Sequence, residues 1–436
     1  MSALARHFHN RGIRVSGYDR VSTELTRELE QEGINVHYVD DVALADKDAD
    51  LVVYTPAIPD THSELRYFRN SKGWMVKRSE VLGIVTSETY NICVAGTHGK
   101  TTTSSLIAHI LRDTGYGCNA FLGGVSANYA TNTWSSERNV SVAEADEYDR
   151  SFLKLSPDIA VITSMDPDHL DIYGTARNME DAFLQFANLV KTGGLLIYKH
   201  GLERASEFKN ERKVSYSLDD ERSEAYAINI RRQDGGYLFD AVVKEKKYND
   251  VRLNMGGEHN IENTIAGLVA CDELKIDDAK VLKAIEAFKG VKRRFEYIIK
   301  NKELVMIDDY AHHPEELRAL IKGAMELFPG KKCTVIFQPH LYSRTSDHAL
   351  GFGEVLSLAD EVILLPIYPA REEPIDGVES EMILPFIAHD RKRVIPMNKV
   401  CDHLSGKELQ LLIICGAGDI DTIVEPVKKL LDPVKN

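Results

Sequence analysis

Seven consecutive residues form the first stretch of this chain that is equipped for chemistry: Gly96, Thr97, His98, Gly99, Lys100, Thr101 and Thr102. The apolar run 92–95 before them predicts a buried strand, and the pattern of 100–112 predicts an amphipathic helix. A glycine loop in that setting presents N–H groups to anionic oxygens, Lys100 adds a positive charge, and the Thr101 hydroxyl suits a Mg²⁺ shell. The eight-residue P-loop pattern would need glycine where Val94 stands, so the motif is a shorter variant. The alternative is an ordinary turn before a threonine-capped helix, but the flanking strand and helix favour an ATP site.

A carboxylate ends the next predicted strand of this region, residues 140–144. An acidic residue at a strand end near a phosphate loop commonly holds Mg²⁺, directly or through water. Glu144 is therefore a candidate metal-shell residue. The alternative is an acid-rich helix N-terminus formed by Asp146, Glu147 and Asp149, and the two interpretations are compatible.

An imidazole follows a third buried strand, predicted over 159–164. The turn after it carries His169 beside Asp168 and Asp171. A lone histidine is usually structural, but this one ends a strand of the same predicted sheet as the phosphate loop, which favours a place near the metal. The candidate metal residues are Thr101, Glu144 and His169.

A polar helix face is predicted further along, where residues 256–263 open a helix that runs through residue 270. His259 and Asn263 are four residues apart and therefore lie on one face. Two planar polar groups suit a purine edge, with simple solvent exposure as an equal alternative. The preceding stretch, 213–255, has short alternating runs that predict a small antiparallel patch.

The pattern of the N-terminal region is typical of part of a dinucleotide-binding fold. A helix over 1–12 feeds a strand over 14–19 that ends in Asp19, the position at which such folds often meet a ribose. A second buried strand, 50–55, runs into a rigid turn at the edge where open α/β sheets bind ligands. The residues of that turn are Thr55, Pro56 and Ala57. A helix at 61–71 and a strand at 74–77 complete the region, and a boundary is expected near residue 88.

The last region alternates strand and helix again, after a second expected boundary near the guanidinium pair Arg293 and Arg294. Strands are predicted over 304–307, 335–337, 362–365 and 411–415. Each of them ends in polar residues or glycine, which is typical of a doubly wound sheet with its ligand along that edge. Chemically capable side chains at these ends are Tyr310, His312, His340 and Arg344.

Composition narrows the class of protein. The 436 residues carry a formal charge of −14, which argues against a general nucleic-acid or membrane surface. The 43% hydrophobic content suffices for several cores, so two or three domains are expected. Six scattered cysteines show no metal-binding spacing, and no secretory signal or run of 18 apolar residues is present. A cytoplasmic protein is predicted.

Taken in order, these motifs resemble those of the Mur ligase family over essentially the whole chain. The matching segments are 1–5, 96–102, 144–149 with 151–153, 168–174, 259–263, 293–296, 308–314 and 337–340. The resemblance is greatest to members that join L-alanine to UDP-N-acetylmuramate in peptidoglycan precursor synthesis. It implies three α/β domains: a Rossmann-like UDP-sugar domain at 1–88, a central ATPase at 89–291 and an amino-acid domain at 292–436. It also implies ATP and Mg²⁺ as cofactors, an acyl-phosphate intermediate, and a monomer or weak homodimer.

Residue roles follow from the same resemblance. The residues expected to carry the reaction are Lys100, Glu144, His169, Arg294, Arg344 and His312. Those expected to bind ATP are Gly96, Thr97, His98, Gly99, Lys100, Thr101, Thr102, His259 and Asn263. Those expected to line the two substrate pockets are Asp19, Thr55, Pro56, Ala57, Tyr310, His312 and His340.

Two departures from the family pattern stand out. The family's first strand and its G-x-G-G-x-G turn belong before Met1, so we expect the N-terminus to be truncated or its start misassigned, and an extended chain to bind the UDP-sugar more tightly. Leu341 stands where related ligases commonly have arginine, which leaves His340 and Arg344 to compensate. Competing interpretations are a ligase that recycles muropeptides, a nucleotide-binding relative without catalysis, and a nicotinamide dehydrogenase, which lacks a complete G-x-G-x-x-G here.

Overall fold

The computed structural model describes residues 1–432 apart from Ala57, Lys72, His169 and Arg371. Within this part of the chain, helices and strands alternate in three successive parts, each with its own parallel or mostly parallel strands. The predicted α/β class is confirmed. Among the described residues, no helix combines the length and the apolar composition that a membrane-spanning segment requires.

The N-terminal part is built from short elements. They are α1 (Ser2–His9), β1 (Ser16–Tyr18), α2 (Glu24–Gln31), β2 (Asn35–His37), β3 (Leu51–Tyr54), α3 (Ser63–Asn70), β4 (Trp74–Lys77) and α4 (Arg78–Ser87). Strand β1 pairs with β2 and β3 pairs with β4, both in parallel. The predicted helix over 1–12 is shorter than expected, because the chain turns at Asn10 and reaches Gly12 with φ +78°. Helix α4 was not predicted, since its apolar and polar residues alternate irregularly.

The middle part contains the largest sheet. Its elements are β5 (Tyr90–Ala95), α5 (Lys100–Asp113), β6 (Asn119–Ser126), β7 (Thr131–Trp134), β8 (Val140–Glu144), β9 (Ile159–Ile162), α6 (Leu170–Tyr173), α7 (Ala176–Asn188), β10 (Leu195–Lys199), β11 (Lys213–Tyr216), β12 (Ala225–Gln233), β13 (Gly236–Val243), β14 (Lys246–Leu253), α8 (His259–Glu273) and α9 (Asp278–Ala287). The strand order is β14-β13-β12-β11-β10-β9-β5-β8-β6-β7. Strands β12 to β14 form the predicted antiparallel patch, whereas the β6–β7 hairpin was not predicted.

Strand β5 lies between β8 and β9 and is parallel to both. In this register Val94 is opposite both Glu144 and Val161, so the carboxyl ends of the three strands lie at one sheet edge. Helix α5 leaves that edge and packs with α8 and α9 on one face of the sheet, where Leu106, Ile107 and Ile110 are fully buried. The sheet register therefore brings the phosphate loop and the two polar strand ends together.

The C-terminal part is a second doubly wound sheet. Its elements are β15 (Glu296–Lys300), β16 (Val305–Asp309), α10 (Pro314–Leu327), β17 (Cys333–Phe337), α11 (Tyr342–Leu356), β18 (Glu361–Leu364), β19 (Lys392–Val394), α12 (Val400–Leu404), β20 (Leu411–Cys415) and α13 (Val424–Leu431). The order is β15-β16-β20-β17-β18-β19, and only β15 pairs antiparallel among these described strands. The four predicted strands are confirmed as β16, β17, β18 and β20.

Specific contacts join the three parts. Between the N-terminal and middle parts, the His7 ring lies 5.2 Å from that of Phe121. Between the middle and C-terminal parts, the Lys292 N–H donates to the Val125 carbonyl at 2.8 Å, and the Tyr297 hydroxyl donates to the Gly235 carbonyl at 2.6 Å. The segment just before β15 is thus held against β6 and forms the connection between the two large sheets.

A fully buried aromatic cluster in the middle part allows the contribution of packing to its stability to be measured. Phe152 stacks on Phe186 with centroids 5.1 Å apart and meets Phe183 edge-on at 5.3 Å. We expect Phe152→Ala to lower the free energy of unfolding by about 3–5 kcal/mol, because the substitution loses apolar burial and leaves a cavity. Urea unfolding followed by circular dichroism measures this. Leu350→Ala is the control, since Leu350 is 55% exposed; equal effects of the two changes would contradict the prediction.

Candidate active site

The predicted phosphate loop, residues 96–99, lies between β5 and α5. Hydrogen bonds with the two residues that follow β9 hold its backbone in place. The Thr163 hydroxyl donates to the carbonyls of Ala95 and His98 at 3.0 and 2.5 Å. The Ser164 hydroxyl accepts the His98 N–H at 2.7 Å and pairs with the Thr97 hydroxyl at 2.8 Å. These two residues directly follow β9. They were not predicted as site residues, because their contacts join segments more than 60 residues apart in sequence.

Two glycines allow the loop to approach its neighbours. Gly96 has φ +136°, and a Cβ atom there would lie 2.1 Å from the Thr163 Oγ1. Gly99 has φ +81°, and its Cβ would lie 2.9 Å from the Asn263 Oδ1. Side chains at these positions would meet both a strained backbone and a steric clash. The loop geometry therefore explains the glycine spacing of the motif.

Lys100 begins α5 and points back into the loop. Its Nζ donates to the Gly96 carbonyl at 2.6 Å and to the Glu147 Oε1 at 2.8 Å. Glu147 is fully buried, and burial raises the pKa of its carboxyl although Lys100 opposes the shift. The sequence interpretation treated Glu147 only as one of several acids at a possible helix start, so its contact with Lys100 was missed.

Thr101 and Glu144 meet as the sequence suggested. The Thr101 hydroxyl donates to the Glu144 Oε1 at 3.0 Å, and the Gly123 N–H donates to Oε2 at the same distance. Burial raises the pKa of Glu144, whereas the positive charges of Lys100 and Arg294 lower it. A hydroxyl and a carboxylate are the hard oxygen donors that Mg²⁺ prefers, so this pair fits the ion. His169, the third candidate metal residue, lies outside the described residues.

Helix α8 closes another side of the loop. Asn263 is buried beside Gly99, and its Nδ2 donates to the Asn260 Oδ1 at 3.0 Å. His259 is the first residue of α8. Burial lowers the pKa of His259, and the positive charges of Lys199 and Arg294 lower it further. Of the two predicted residues, Asn263 lies next to the loop at Gly99, and His259 lies four residues before it on α8.

The C-terminal sheet edge gathers a second group of candidates. The His312 Nδ1 lies 2.9 Å from the Tyr310 carbonyl, and the His312 and His340 rings are 5.9 Å apart. The Arg344 Nη1 lies 3.2 Å from the His340 Nδ1. Burial and the adjacent Arg344 lower the pKa of His340 to about 4. Tyr310, His312, His340 and Arg344 therefore form one cluster of side chains.

Leu341 adopts an unusual backbone within this cluster. It has φ +70° and ψ 137°, a combination that costs a non-glycine residue about 1–3 kcal/mol. Its N–H donates to the Tyr368 carbonyl at 2.9 Å, and its carbonyl accepts the Thr345 hydroxyl at 2.7 Å. Tyr368 also stacks on His340, with centroids 5.7 Å apart. No sequence pattern had singled out Tyr368.

The two arginines before β15 have different surroundings. Arg293 turns into the C-terminal sheet, where its Nη2 donates to the Gly416 carbonyl at 2.5 Å and its guanidinium lies 5.1 Å from the Tyr310 ring. Arg294 is exposed, and its charge lowers the pKa values of Glu144 and His259. Only Arg294 therefore acts on the phosphate-loop side, which the simple arginine pair in the sequence did not reveal.

Two buried carboxyls support this junction. The Asp309 Oδ2 accepts the Phe295 N–H at 2.7 Å, and Asp308 lies 3.9 Å from the Arg293 Nε. Burial raises the pKa of Asp308 to about 7, and that of Asp309 to about 6. These acids are the last two residues of β16, and they hold the chain entering β15.

The remaining predicted residues lie in the N-terminal part. Asp19 directly follows β1, and its N–H donates to the His37 carbonyl at 3.1 Å. Thr55 and Pro56 directly follow β3. Ala57 lies outside the described residues. Both turns stand at carboxyl ends of parallel strands, the position the sequence suggested.

Three family models match successive parts of the chain. The model described as "Mur ligase family, catalytic domain" matches residues 1–90, "Mur ligase middle domain" matches 94–271, and "Mur ligase, glutamate ligase domain" matches 293–418. Together the matches cover most of the sequence.

Curated relatives are similar over nearly the full length. The UDP-N-acetylmuramate--L-alanine ligase of Parabacteroides distasonis is 46% identical over 99% of this chain and 95% of its own length. The protein of the same name from Cytophaga hutchinsonii is 44% identical over 99% of this chain and 94% of its own.

Two solved structures are also similar to this chain. The UDP-N-acetylmuramate-alanine ligase of Thermotoga maritima has a TM-score of 0.85 and 28% identity, over 98% of this chain and 95% of that one. A murein peptide ligase from Psychrobacter arcticus has a TM-score of 0.69 at 22% identity, over 100% and 97%, and this likeness concerns the fold alone.

The glycine geometry gives a first test of the site. We expect Gly96→Ala to weaken ADP binding by roughly 10- to 100-fold, because the strain and the clash with Thr163 amount to about 1–3 kcal/mol or more. Isothermal titration calorimetry measures the affinity. Gly193→Ala is the matched control, since Gly193 also has positive φ but open space around its Cβ position. Unchanged affinity in Gly96→Ala would contradict the assignment of this loop.

The buried acids give a pH-dependent test. Because the pKa of Asp308 is higher in the folded than in the unfolded state, its contribution favours folding below about pH 4 and is lost as the pH rises toward 7. We expect Asp308→Asn to remove this loss, so its stability relative to the unmodified chain should grow by on the order of 2 kcal/mol between pH 5 and 8. Urea unfolding at both pH values measures it.

The exposed Asp402 provides the control for this test. Asp402→Asn should shift stability equally little at both pH values. A constant difference between Asp308→Asn and the unmodified chain across the pH range would show that Asp308 ionises normally.

Proposed function

The chain belongs to the Mur ligase family, and from this premise we propose that it joins L-alanine to the carboxylate of UDP-N-acetylmuramate, with cleavage of ATP to ADP and phosphate. Full-length similarity to ligases of that name supports the substrates. The observation that carries the proposal is the phosphate loop with Lys100 in it and the Thr101–Glu144 pair beside it.

The reaction needs an activated carboxylate, because a free carboxylate is a poor acylating agent. A carboxylate oxygen of the sugar attacks the γ-phosphorus of ATP, and ADP leaves. The alanine nitrogen then attacks the acyl carbon, the carbon–oxygen bond to phosphate breaks, and an amide forms. Several anionic groups must meet in this sequence, so the site must supply positive charge and exclude water.

The phosphate loop supplies the first part of that charge. We assign the loop N–H groups and Lys100 to the β- and γ-phosphates, and Thr101 and Glu144 to Mg²⁺, with His169 expected at a second ion. When bound, Mg²⁺ neutralises phosphate charge and orients the oxygens. His259 and Asn263 are assigned to the adenine, since they lie on the helix beside Gly99.

The C-terminal cluster is assigned to the amino acid and the acyl group. Arg344 offers a guanidinium that suits a carboxylate. The pKa of the adjacent His340 is lowered to about 4, so His340 adds no positive charge beside it at neutral pH. Tyr310 and His312 lie next to this pair. Arg294 stands between the two sheets and supplies charge toward the phosphate side.

The N-terminal turns at Asp19 and at residues 55–57 are assigned to the UDP-sugar. We propose domain limits of 1–88, 89–291 and 292–436, which separate the three sets of strands. Cytoplasmic location and a monomer or weak homodimer complete the proposal. The six cysteines are free, which is compatible with a reducing compartment.

The decisive assay is phosphate release from ATP and Mg²⁺ with each substrate added or left out. We expect release only when UDP-N-acetylmuramate and L-alanine are both present. A tripeptide replaces alanine in a parallel arm, because a ligase for muropeptides would prefer it. Release with the tripeptide but not with alanine would overturn the proposed substrate.

Lys100→Ala tests the loop within the same assay. We expect turnover to fall by at least about 1,000-fold, because a positively charged group on the transferred phosphoryl stabilises the transition state. Lys283→Ala, on the exposed side of α9, should retain activity. Surviving turnover in Lys100→Ala would remove the loop from the mechanism.

A further inference from the structure

The Lys100 ammonium group forms an ion pair with a buried carboxylate beside the loop. Its Nζ lies 2.8 Å from the Glu147 Oε1, and the two side chains are 14% and 1% exposed. An ion pair this well buried is far less screened by water and salt than a surface pair. The pair is therefore a strong local determinant of where the ammonium group points.

Glu147 is held rigidly in its place. Its carbonyl accepts the Tyr173 hydroxyl at 2.5 Å and the Arg150 N–H at 2.9 Å. Among the described residues, its Oε2 is buried and has no hydrogen-bond partner. The carboxylate thus depends on Lys100 for compensation, and a buried carboxylate that loses its cation is costly.

A nucleotide in this loop would place a second anion on the same ammonium group. Lys100 can donate three hydrogen bonds, and one of them already goes to the Gly96 carbonyl. Phosphate oxygens and Glu147 would then repel each other across one Lys100. Since burial raises the pKa of Glu147, its carboxyl can become neutral when Lys100 leaves.

We propose that Glu147 is a positioning residue that holds Lys100 at the loop and competes with the nucleotide phosphates for it. Nucleotide binding transfers the Lys100 ion pair from Glu147 to phosphate oxygens. Glu147 therefore sets how tightly the loop binds nucleotide. This inference rests on the proposed function, in which Lys100 contacts the phosphates of ATP.

Glu147→Gln removes the competing charge and keeps the shape of the side chain. We expect ADP and a non-hydrolysable ATP analogue, each with Mg²⁺, to bind the full chain about tenfold more tightly, since a like charge at this range commonly shifts a neighbouring ionisation by one unit or more. Calorimetric titration measures the affinity. Equal or weaker binding by a variant with unchanged circular dichroism would overturn the proposal.

Two further readouts separate this role from a merely structural one. The KM for ATP should fall about tenfold without a rise in kcat, because ATP is bound more tightly in the ground and transition states alike. Asp146→Asn is the matched control: it makes the same charge change one residue away, and its side chain accepts the Tyr148 N–H rather than contacting Lys100. An equal affinity gain in Asp146→Asn would also overturn the proposal.

A crystal structure of the unmodified chain with the ATP analogue tests the transfer even if the variant does not fold. Lys100 Nζ should lie within hydrogen-bond distance of a phosphate oxygen and more than about 4 Å from Glu147. An intact Lys100–Glu147 pair beside the bound phosphates would refute the inference. Absence of ligation by the unmodified chain would instead refute the proposed function, so the two failures are distinguishable.

Discussion

The parallel register of three neighbouring strands is the constraint on which the middle of this molecule depends. Because β5 lies between β8 and β9, the phosphate loop, Glu144 and the Thr163–Ser164 pair reach the same sheet edge. That edge carries one ammonium group, on Lys100, close to two buried carboxylates. Because Lys100 is paired with Glu147, phosphate binding to Lys100 would rearrange an existing ion pair rather than fill a region of free positive charge.

The C-terminal sheet also brings the ends of parallel strands together, and there the polar groups stabilise the junction before β15. The neighbouring ends of β16 and β20 bring Asp308 and the Gly416 carbonyl to Arg293. Arg293 is directed inward, so its charge stabilises the junction, and the adjacent Arg294 is left exposed toward the middle part. A positive φ at Arg293 and at Phe295 produces this division of two neighbouring side chains, at the cost of local backbone strain.

Much of this arrangement could be predicted from the sequence because its signals are local. The glycine loop, the apolar strand before it and the acid that ends β8 are each readable within a few residues. Glu147 and Tyr368 could not be found in this way, since their roles depend on contacts with Lys100 and His340 across long separations. The β6–β7 hairpin was not predicted either. Strand β6 contains two glycines among its eight residues, and its register with β7 shifts between Phe121 and Ser126, so no regular strand pattern is visible in the sequence.

The exposed Arg294 interacts electrostatically with groups of both large sheets. Its charge acts on Glu144 and His259 in the middle part and on Asp309 in the C-terminal part. It follows Val291, which bridges to Ser126 of β6, so its backbone is anchored to the middle sheet. The electrostatic interaction of the Arg294 guanidinium with these groups weakens when the two parts separate, and it strengthens when water is excluded between them. In the proposed reaction, electrostatic compensation of the transferred phosphate would therefore be greatest when both parts are together, which would couple acyl-phosphate formation to exclusion of the water that would hydrolyse it.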